Sequence, residues 1–279
     1  MVRITDNILA ETEYLGCNIG CVFTEQGPVL VDTPALPGDI RDLSQRLRSL
    51  SHPDIAYLIY THEHFDHLIG GAHFTRRIVA HQDTVSEITY LKESLPKEVN
   101  RFFPDIYRQH KEAFDSAEIV LPQITFEREL TLHMGDRTLR LFHAGGHSAG
   151  SLAVHIPEDK VLFAGDNIVS DMPLVTPTSL FRGWIDFLHM VEAMDIDIII
   201  PGHGVLCGRE AATKTRVYFE AMRDRVMNLF DRGASQEEII RETDLTTYLP
   251  VAQNETVKQQ VASTVAAMYE QVKKGMLGA

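Results

Sequence analysis

Cysteine is scarce in this sequence, and the few cysteines do not suggest a disulfide-stabilised fold. Among 279 residues there are three, Cys17, Cys21 and Cys207, an odd number at irregular spacing. Cys17 and Cys21 lie four residues apart in an apolar stretch, where they could share a metal ion but fit better as small buried hydrophobic residues. We therefore expect a hydrophobic core to stabilise the fold, and a chain of this length is long enough to form one.

Long apolar segments are also absent. No run approaches the roughly 20 apolar residues that a membrane-spanning helix requires. The first 15 residues contain acidic side chains and no extended apolar region, unlike a secretory signal peptide. These absences lead us to expect a cytoplasmic protein that does not engage membranes.

Basic residues are outnumbered by acidic ones. The sequence has 26 Lys and Arg against 39 Asp and Glu, which is a formal net charge of −13 at pH 7. Proteins that bind nucleic acids usually show the opposite balance, because they neutralise phosphates. The charge therefore argues against DNA or RNA as a partner and leaves a small-molecule substrate as the expectation. A homodimer is compatible with these features.

Short apolar runs alternate with helical patterns along the chain. The apolar runs predict strands at 17–24, 28–33, 55–60, 137–142, 151–156, 160–165 and 198–200. Apolar residues that recur every three or four positions predict helices at 40–50 and 180–191, with Ser179 as the N-cap of the second. The alternation indicates a mixed α/β fold.

Two helical segments stand apart from this alternation. Residues 83–116 lie between two groups of strands, and we interpret them as an insertion that either covers the site as a lid or simply packs on the body. From residue 209 the pattern is helical, with apolar stripes at 219–230 and 257–272 and a capping box from Ser235 to Glu238. We therefore predict a catalytic domain at 1–208 and a C-terminal helical extension at 209–279 that packs against it.

The segment THEHFDH, at 61–67, is the most informative motif in the chain. It places three histidines and an aspartate directly after a buried strand. His62 and His64 are two residues apart and point the same way in an extended loop, so that one metal can bridge them. Asp66 and His67 are adjacent, point differently and suit a second metal nearby. Imidazole and carboxylate ligands are favoured by zinc, and also by iron or manganese.

Three further candidate ligands are distant in sequence but share one placement. His147, Asp166 and His203 each lie in a glycine-rich loop that follows an apolar strand. Ligand sites of open sheets form at such strand ends. A single histidine in a Pro-Gly turn is usually a turn residue, but three residues in the same structural position favour metal binding.

The motifs THEHFDH, GGHSAGS, AGD and PGHG, in this order, resemble the metallo-β-lactamase fold superfamily over roughly residues 15–205. The resemblance implies a four-layer αββα sandwich, an α/β (α+β) fold, with a binuclear metal site along one edge. It also implies a ligand for each motif position: His62, His64 and His147 for the first metal, Asp66, His67 and His203 for the second, and Asp166 as the bridge between them.

A binuclear centre of this kind predicts hydrolysis. Two divalent ions, zinc by preference, can hold a bridging hydroxide at neutral pH and clamp the attacked and leaving oxygens. Asp66 could accept a hydrogen bond from that hydroxide and aim it, which makes Asp66 the candidate catalytic residue. The expected substrates are esters, thioesters or lactones, as in glyoxalase-II-like and lactonase-like enzymes. A dedicated β-lactamase is less expected, because its second metal site generally lacks an aspartate at the position of Asp166.

Three other functions stay open on the same residues. Phosphodiester hydrolysis also suits a two-metal centre. An iron-dependent oxidoreductase is the second alternative, since a persulfide-dioxygenase-like enzyme shares His62, His64 and His147, whereas the di-iron pattern has Glu at the position of His64. The third alternative is a non-catalytic binding protein, against which the complete ligand set argues.

A serine hydrolase is a further alternative, because GHSAG at 146–150 matches the G-x-S-x-G pattern. Asp166 or Asp197 and then His203 follow Ser148 in the order of a Ser-Asp-His triad. That pattern requires a helix after the serine, whereas residues 151–156 alternate like a strand and end at a proline. The serine mechanism also leaves the histidines of THEHFDH without a role.

Two residues are candidates for supporting roles. Asp32 ends an apolar strand as the proposed ligands do, so that it either orients the histidine-rich loop or serves as a cap or turn residue. His143 lies four residues before His147 and fits a structural role better than a role beside a metal.

Overall fold

The computed structural model describes residues 1–50, 54–170, 180–243 and 255–277. Within this part the strands are β1 (Val2–Arg3), β2 (Ile8–Glu11), β3 (Ile19–Val22), β4 (Val29–Val31), β5 (Tyr57–Ile59), β6 (Ile78–His81), β7 (Ile124–Phe126), β8 (Glu129–His133), β9 (Thr138–His143), β10 (Leu152–Ile156), β11 (Val161–Gly165) and β12 (Ile198–Pro201). The helices are α1 (Pro37–Ser49), α2 (Phe65–Leu68), α3 (Gly71–Phe74), α4 (Thr84–Phe102), α5 (Pro104–Gln109), α6 (Lys111–Asp115), α7 (Phe181–Ala193), α8 (Glu210–Asp231), α9 (Gln236–Glu242) and α10 (Glu255–Lys273).

The strands form two sheets. The first sheet has the order β1-β2-β3-β4-β5-β6-β7, antiparallel up to β4 and parallel from β4 to β7. The second has the order β12-β11-β10-β9-β8, in which only β11 and β12 are parallel. The parallel pairs require helical crossovers, and α1 to α6 form the crossovers of the first sheet.

The two sheets pack face to face on side chains that alternate along each strand. In β10, Leu152, Val154 and Ile156 point into the core between the sheets, whereas Ala153 belongs to the outer core. The same alternation places Val29 and Val31 inside. This period of two follows from the pleat of a strand.

Helices cover both outer faces. Leu30 and Leu58 of the first sheet pack with Leu43 of α1 and Leu95 of α4. The outer face of the second sheet packs against α7, α8 and α10, with the fully buried Trp184 in this cluster. The resulting order of layers is helices, sheet, sheet, helices, which confirms the predicted αββα sandwich.

The predicted strands all correspond to observed strands, although most are shorter in the structure by one or two residues at an end. The strand patterns did not identify β1, β2, β6, β7 and β8, which are short or lie at the edges of the sheets. The predicted helices match α1 and α7, and Ser179 lies outside the described residues. Residues 83–116 form α4, α5 and α6 between the parallel strands β6 and β7. The lid function and the domain boundary at 208 stay predictions.

The capping box at the start of α9 is confirmed. Ser235 Oγ accepts a hydrogen bond from Glu238 N at 3.3 Å, and Ser235 N donates to Glu238 Oε2 at 2.8 Å. Replacing Ser235 by alanine should lower the free energy of unfolding by about 1 kcal/mol, because backbone N–H groups of the first turn lose their acceptor. Chemical denaturation of the variant measures this loss. The exposed Ser49, whose Oγ donates to Arg46 O, provides the matched Ser→Ala control. Equal effects at both positions would refute a capping role.

No helix in the described ranges is both long and apolar enough to cross a membrane.

Candidate metal centre

The seven predicted ligands meet at one edge of the sandwich, because the loops that carry them all leave strands on that side. THEHFDH follows β5, His147 lies between β9 and β10, Asp166 follows β11 directly, and His203 follows β12. Backbone hydrogen bonds join these loops across the two sheets, with Leu152 N donating to Thr61 O at 2.8 Å. The seven residues singled out from the sequence therefore lie together in the fold, as their shared position after strands predicted.

The local structure of THEHFDH differs in one respect from the expectation. The loop is extended only as far as His64, which precedes the first turn of α2, and Asp66 and His67 lie within that helix. The helical turn places these two side chains in a donor group with His203, although the ring of His67 stays next to that of His62, at a centroid distance of 4.1 Å. The division of the motif into two pairs is preserved, and its physical cause is a change from extended to helical backbone.

The donor atoms form two groups. Within each group the potential ligand atoms lie within 4.8 Å of one another. The first group is His62, His64, His147 and Asp166, and the second is Asp66, His67 and His203.

Asp166 lies between the two groups. Its Oδ2 is 3.5 Å from His147 Nε2 and 3.3 Å from His203 Nε2. Its Oδ1 is 3.3 Å from His67 Nε2. One carboxylate thus faces nitrogens of both groups, which is the placement that a bridging ligand needs.

The outer nitrogens of two imidazoles are held by fixed acceptors. His67 Nδ1 lies 2.9 Å from Asp32 Oδ2, and His203 Nδ1 lies 2.8 Å from the carbonyl oxygen of Gly16. A carbonyl can only accept, so His203 donates from Nδ1 and directs Nε2 at the centre. Metal-binding histidines are oriented in this way by carboxylates and carbonyls behind them.

Asp32 has the supporting role that its position predicted. Besides its contact with His67, it accepts hydrogen bonds from Thr61 N at 2.8 Å and from Thr61 Oγ1 at 2.7 Å. Asp32 is 2% exposed and has a φ of 60°, a left-handed conformation that is uncommon for residues other than glycine. Aspartate tolerates this conformation better than most side chains, and here it fixes both ends of the histidine-rich loop.

Replacing Asp32 by asparagine should weaken metal binding about 10–100-fold. The amide nitrogen cannot accept the Nδ1 proton of His67, so that ring would turn or change its tautomer. Competitive titration with a chromophoric chelator measures the affinity. The exposed Asp54, replaced in the same way, is the matched control. An affinity equal to that of the control would mean that Asp32 does not orient His67.

The imidazoles of the cluster differ in protonation. Although burial opposes both shifts, Cys17 and Asp166 hold the pKa of His67 well above its ordinary value, and Asp166 raises the pKa of His203, so metal binding at these two releases protons. The pKa values of His62 and His147 are shifted in the opposite direction. Burial lowers the pKa of His147 to about 4 and holds the pKa of His62 well below its ordinary value. Both imidazoles are therefore neutral at pH 7, the form that binds metals. Although burial opposes ionisation of Asp166, the adjacent His203 and His67 outweigh it and hold the pKa of this carboxyl well below its usual range.

The cluster also has an excess of buried polar atoms. His62 Nε2 and Asp166 Oδ1 have no hydrogen-bond partner in the described part of the chain, although both are buried. His147 Nε2 lies 3.0 Å from His64 Nδ1, and His67 Nε2 lies 3.4 Å from His203 Nε2. Buried nitrogens and carboxylate oxygens are costly without partners, and coordination to cations satisfies them. The residues therefore fit divalent metal ions.

Sequence reasoning missed several residues that hold the loops. Asn167 Oδ1 accepts from His147 N at 2.9 Å, and Asn167 O accepts from Trp184 Nε1 at 2.8 Å. Asn18 donates from Nδ2 to Pro201 O and to Gly204 O, at 2.9 Å each, and so supports the His203 loop. Asn167 could have been suspected because it follows Asp166. Asn18 has no signal in the sequence, since its partners lie more than 180 residues away.

The serine-hydrolase alternative is wrong. Ser148 is fully buried, donates from Oγ to Glu63 Oε2 at 2.9 Å and lies 2.9 Å from Ser151 Oγ. The chain continues into strand β10 and not into a helix. Ser148 therefore supports the loop of His147 and is not exposed as a nucleophile.

His143 has the structural role that its spacing favoured. Its Nε2 donates to Ala149 O at 2.9 Å, and its ring stacks on His81 at a centroid distance of 3.9 Å. Cys17 and Cys21 are buried, as expected for small hydrophobic residues, and Cys17 Sγ also donates to Asp66 O at 3.3 Å.

Comparison with known proteins agrees with the fold and the cluster. The family model of the metallo-beta-lactamase superfamily matches residues 13–203. The acyl-coenzyme A thioesterase MBLAC2 of Bos taurus is 29% identical over 217 residues, which are 69% of this chain and 75% of that protein. The linear primary-alkylsulfatase of a Pseudomonas strain is 20% identical, over 91% of this chain and 54% of that protein, so that this chain spans about half of it.

A solved structure extends the similarity to nearly the whole chain. The metallo-beta-lactamase family protein from Thermus thermophilus superposes with a TM-score of 0.68 at 16% identity, covering 98% of this chain and 95% of that one. The superfamily uses divalent metals, and the thioesterase and the alkylsulfatase are hydrolases. The family match and the cluster of histidines and aspartates identify the chain as a metal-dependent hydrolase that belongs to the metallo-beta-lactamase superfamily.

Proposed function

We propose that this protein binds two divalent ions, zinc by preference, and hydrolyses an ester, thioester or lactone: water attacks the carbonyl carbon, and the bond from this carbon to the leaving oxygen or sulfur breaks. The ligands proposed for one ion are His62, His64 and His147, those for the other are Asp66, His67 and His203, and Asp166 bridges the two. The observation that carries the proposal is the position of Asp166, whose two oxygens face nitrogens of both donor groups at 3.3–3.5 Å.

Ions held at this edge would lower the pKa of water toward about 7 and polarise the oxygen of the attacked carbonyl. The chain itself supplies a fixed set of imidazoles, of which His62 and His147 are neutral at pH 7. Because His62, His67 and His147 are at most 2% exposed, they are shielded from competing water. The centre is thus pre-organised and does not need to rearrange during the reaction.

Asp66 is the proposed catalytic residue. Its side chain is 24% exposed, against 10% for Asp166, so it faces the side from which a substrate can enter. Its Oδ2 lies 3.4 Å from His203 Nε2. A carboxylate in this place can accept a hydrogen bond from the attacking water and so direct a lone pair of the water oxygen at the carbonyl carbon.

Thioesters are the preferred substrates within this class. The bovine relative is a thioesterase and shares more identical residues with this chain than the alkylsulfatase does. Alkyl sulfates are the second candidate, because the alkylsulfatase matches 91% of this chain. The proposal also includes a cytoplasmic location and a small-molecule substrate, without nucleic-acid or membrane partners. The protein could act as a homodimer.

Metal analysis together with a substrate panel tests this proposal. The purified protein, reconstituted with zinc, iron or manganese, is assayed with an acyl thioester, a lactone, an alkyl sulfate and bis-p-nitrophenyl phosphate. We expect about two metal ions per chain and the highest kcat/KM for the thioester. Two iron ions without hydrolysis would favour an oxidoreductase, and preference for the phosphate ester would favour a phosphodiesterase.

The His203→Ala variant tests the number of metals directly. It should bind about one ion fewer per chain and lose most of its activity. The matched control is His133→Ala, because His133 is an exposed histidine on the edge strand β8. One metal ion in the unmodified protein, with no effect of His203→Ala, would contradict the binuclear proposal.

A further inference from the structure

An apolar cavity of about 220 Å³ opens beside the candidate metal centre. Asp66 and His203 line one side of it, and the other lining residues are apolar, from the segment before α1 and from α2, α4, α5 and α6. The cavity therefore connects the reactive edge with the helical segment 83–116. We call it the chain cavity.

The exposure of the lining residues distinguishes the open end of the chain cavity from its closed end. Leu15 and Phe103, at the rim, are 55% and 47% exposed. Ile69, Val99 and Phe114 are at most 5% exposed and form the floor. The cavity thus runs from the solvent-accessible metal edge inward beneath α4, α5 and α6. A substrate tail in it would lie in an apolar environment with its reactive end near Asp66.

Phe114 separates the chain cavity from a second one. The second cavity is larger, at about 720 Å³, and its lining includes Arg41, Arg48 and His73. Ala35, Ile69 and Phe114 line both cavities. Phe114 has the largest side chain of the three and is 3% exposed, so its ring is the main part of the wall between the two spaces.

We propose that the chain cavity binds the straight apolar chain of the substrate and that Phe114 sets the maximum chain length. This inference rests on the proposed function for the identity of the reactive group. Binding of an apolar chain in the cavity can be tested without it. Polar or charged tails would be excluded, because the floor offers no hydrogen-bonding side chain and an unpaired polar group there is costly. Each added methylene should improve binding about fourfold until the chain reaches Phe114.

The shared feature of the two candidate substrate classes is the apolar chain. An acyl thioester and an alkyl sulfate of equal length would place the same methylenes in the cavity and differ only at the reactive end. The experiment therefore uses both series, and also uses straight-chain carboxylic acids as probes that bind without reacting.

Isothermal titration calorimetry of carboxylic acids with about 4 to 16 carbons measures the length profile of binding, while kcat/KM is measured for both substrate series. We expect affinity and kcat/KM to rise together and then level off in the unmodified protein. In Phe114→Ala the rise should continue for several more methylenes, because the chain can enter the second cavity. Phe102→Ala is the matched control, since Phe102 is 59% exposed and does not line the cavity.

Phe114→Leu guards against loss of folding, because a buried Phe→Ala change costs about 3–5 kcal/mol whereas leucine keeps most of the apolar contact. The leucine variant should shift the profile in the same direction by a smaller amount. An identical length profile in Phe114→Leu and in the unmodified protein would overturn the inference. If the binding profile shifts while no acyl or alkyl substrate is hydrolysed, the chain cavity stands and the proposed function fails. If thioesters are hydrolysed at rates that do not depend on chain length, the proposed function stands and the inference about the chain cavity fails.

Discussion

Replacing Asp166 by alanine is expected to lower kcat/KM by on the order of 10³-fold and to remove at least one metal ion per chain. Among the described residues, Asp166 is the carboxylate whose oxygens face nitrogens of both donor groups, at 3.3 Å from His67 Nε2 and 3.5 Å from His147 Nε2. Polarisation by a metal stabilises a transition state by several kcal/mol, and each 1.4 kcal/mol corresponds to about tenfold in rate. Elemental analysis and steady-state kinetics of the same preparation measure both losses.

The control for this variant is Asp197→Ala. Asp197 is an exposed aspartate that directly precedes β12, so its replacement changes the net charge equally without reaching the cluster. Its kinetics and metal content should match those of the unmodified protein. Full metal content and activity in Asp166→Ala would show that the carboxylate is not a ligand and would refute the bridging role.

Replacing Gly202 by alanine should be nearly as damaging, although glycine contributes no functional group. A Cβ atom at this position would lie 1.9 Å from Asp166 Oδ1, 2.7 Å from Gly165 C and 2.8 Å from Asp166 N. Rotation of the aspartate cannot relieve the two backbone contacts, so the loop after β12 must shift and carry His203 with it. We expect a loss of about 1–3 kcal/mol in stability, as for other overpacked sites, and a large loss of metal affinity.

Gly38→Ala is the control for this substitution. Gly38 lies in the first turn of α1, and nothing lies within 4 Å of the position of its Cβ. Alanine there should leave metal affinity unchanged and leave stability unchanged or higher by up to about 1 kcal/mol. Thermal unfolding with and without added metal distinguishes the two variants. Normal metal affinity in Gly202→Ala would mean that the His203 loop adapts without moving its ligand.

Local sequence patterns were sufficient to predict features that depend on residues close together in the sequence. THEHFDH identified four ligand candidates because residues so close in sequence remain close in any fold. The alternation in SLAVHI predicted strand β10 and so excluded Ser148 as the nucleophile of an elbow. The strands β1 and β2 gave no comparable signal, because they are too short for a period of two to be distinct.

The sequence by itself predicted the candidate ligands, their division between neighbouring positions of one motif and a mixed α/β fold, and its resemblance to the metallo-β-lactamase superfamily implied the αββα architecture. Only the tertiary structure decided that Asp166 faces both donor groups, that Asp32 lies against His67, and that Phe114 lines both an apolar cavity beside the candidate metal centre and a second cavity. The physical reason is distance along the chain: His67, for example, meets Asp32 and Asp166, which are 35 and 99 positions away. Such contacts exist only after the two sheets and their helices have packed, since no local preference specifies them.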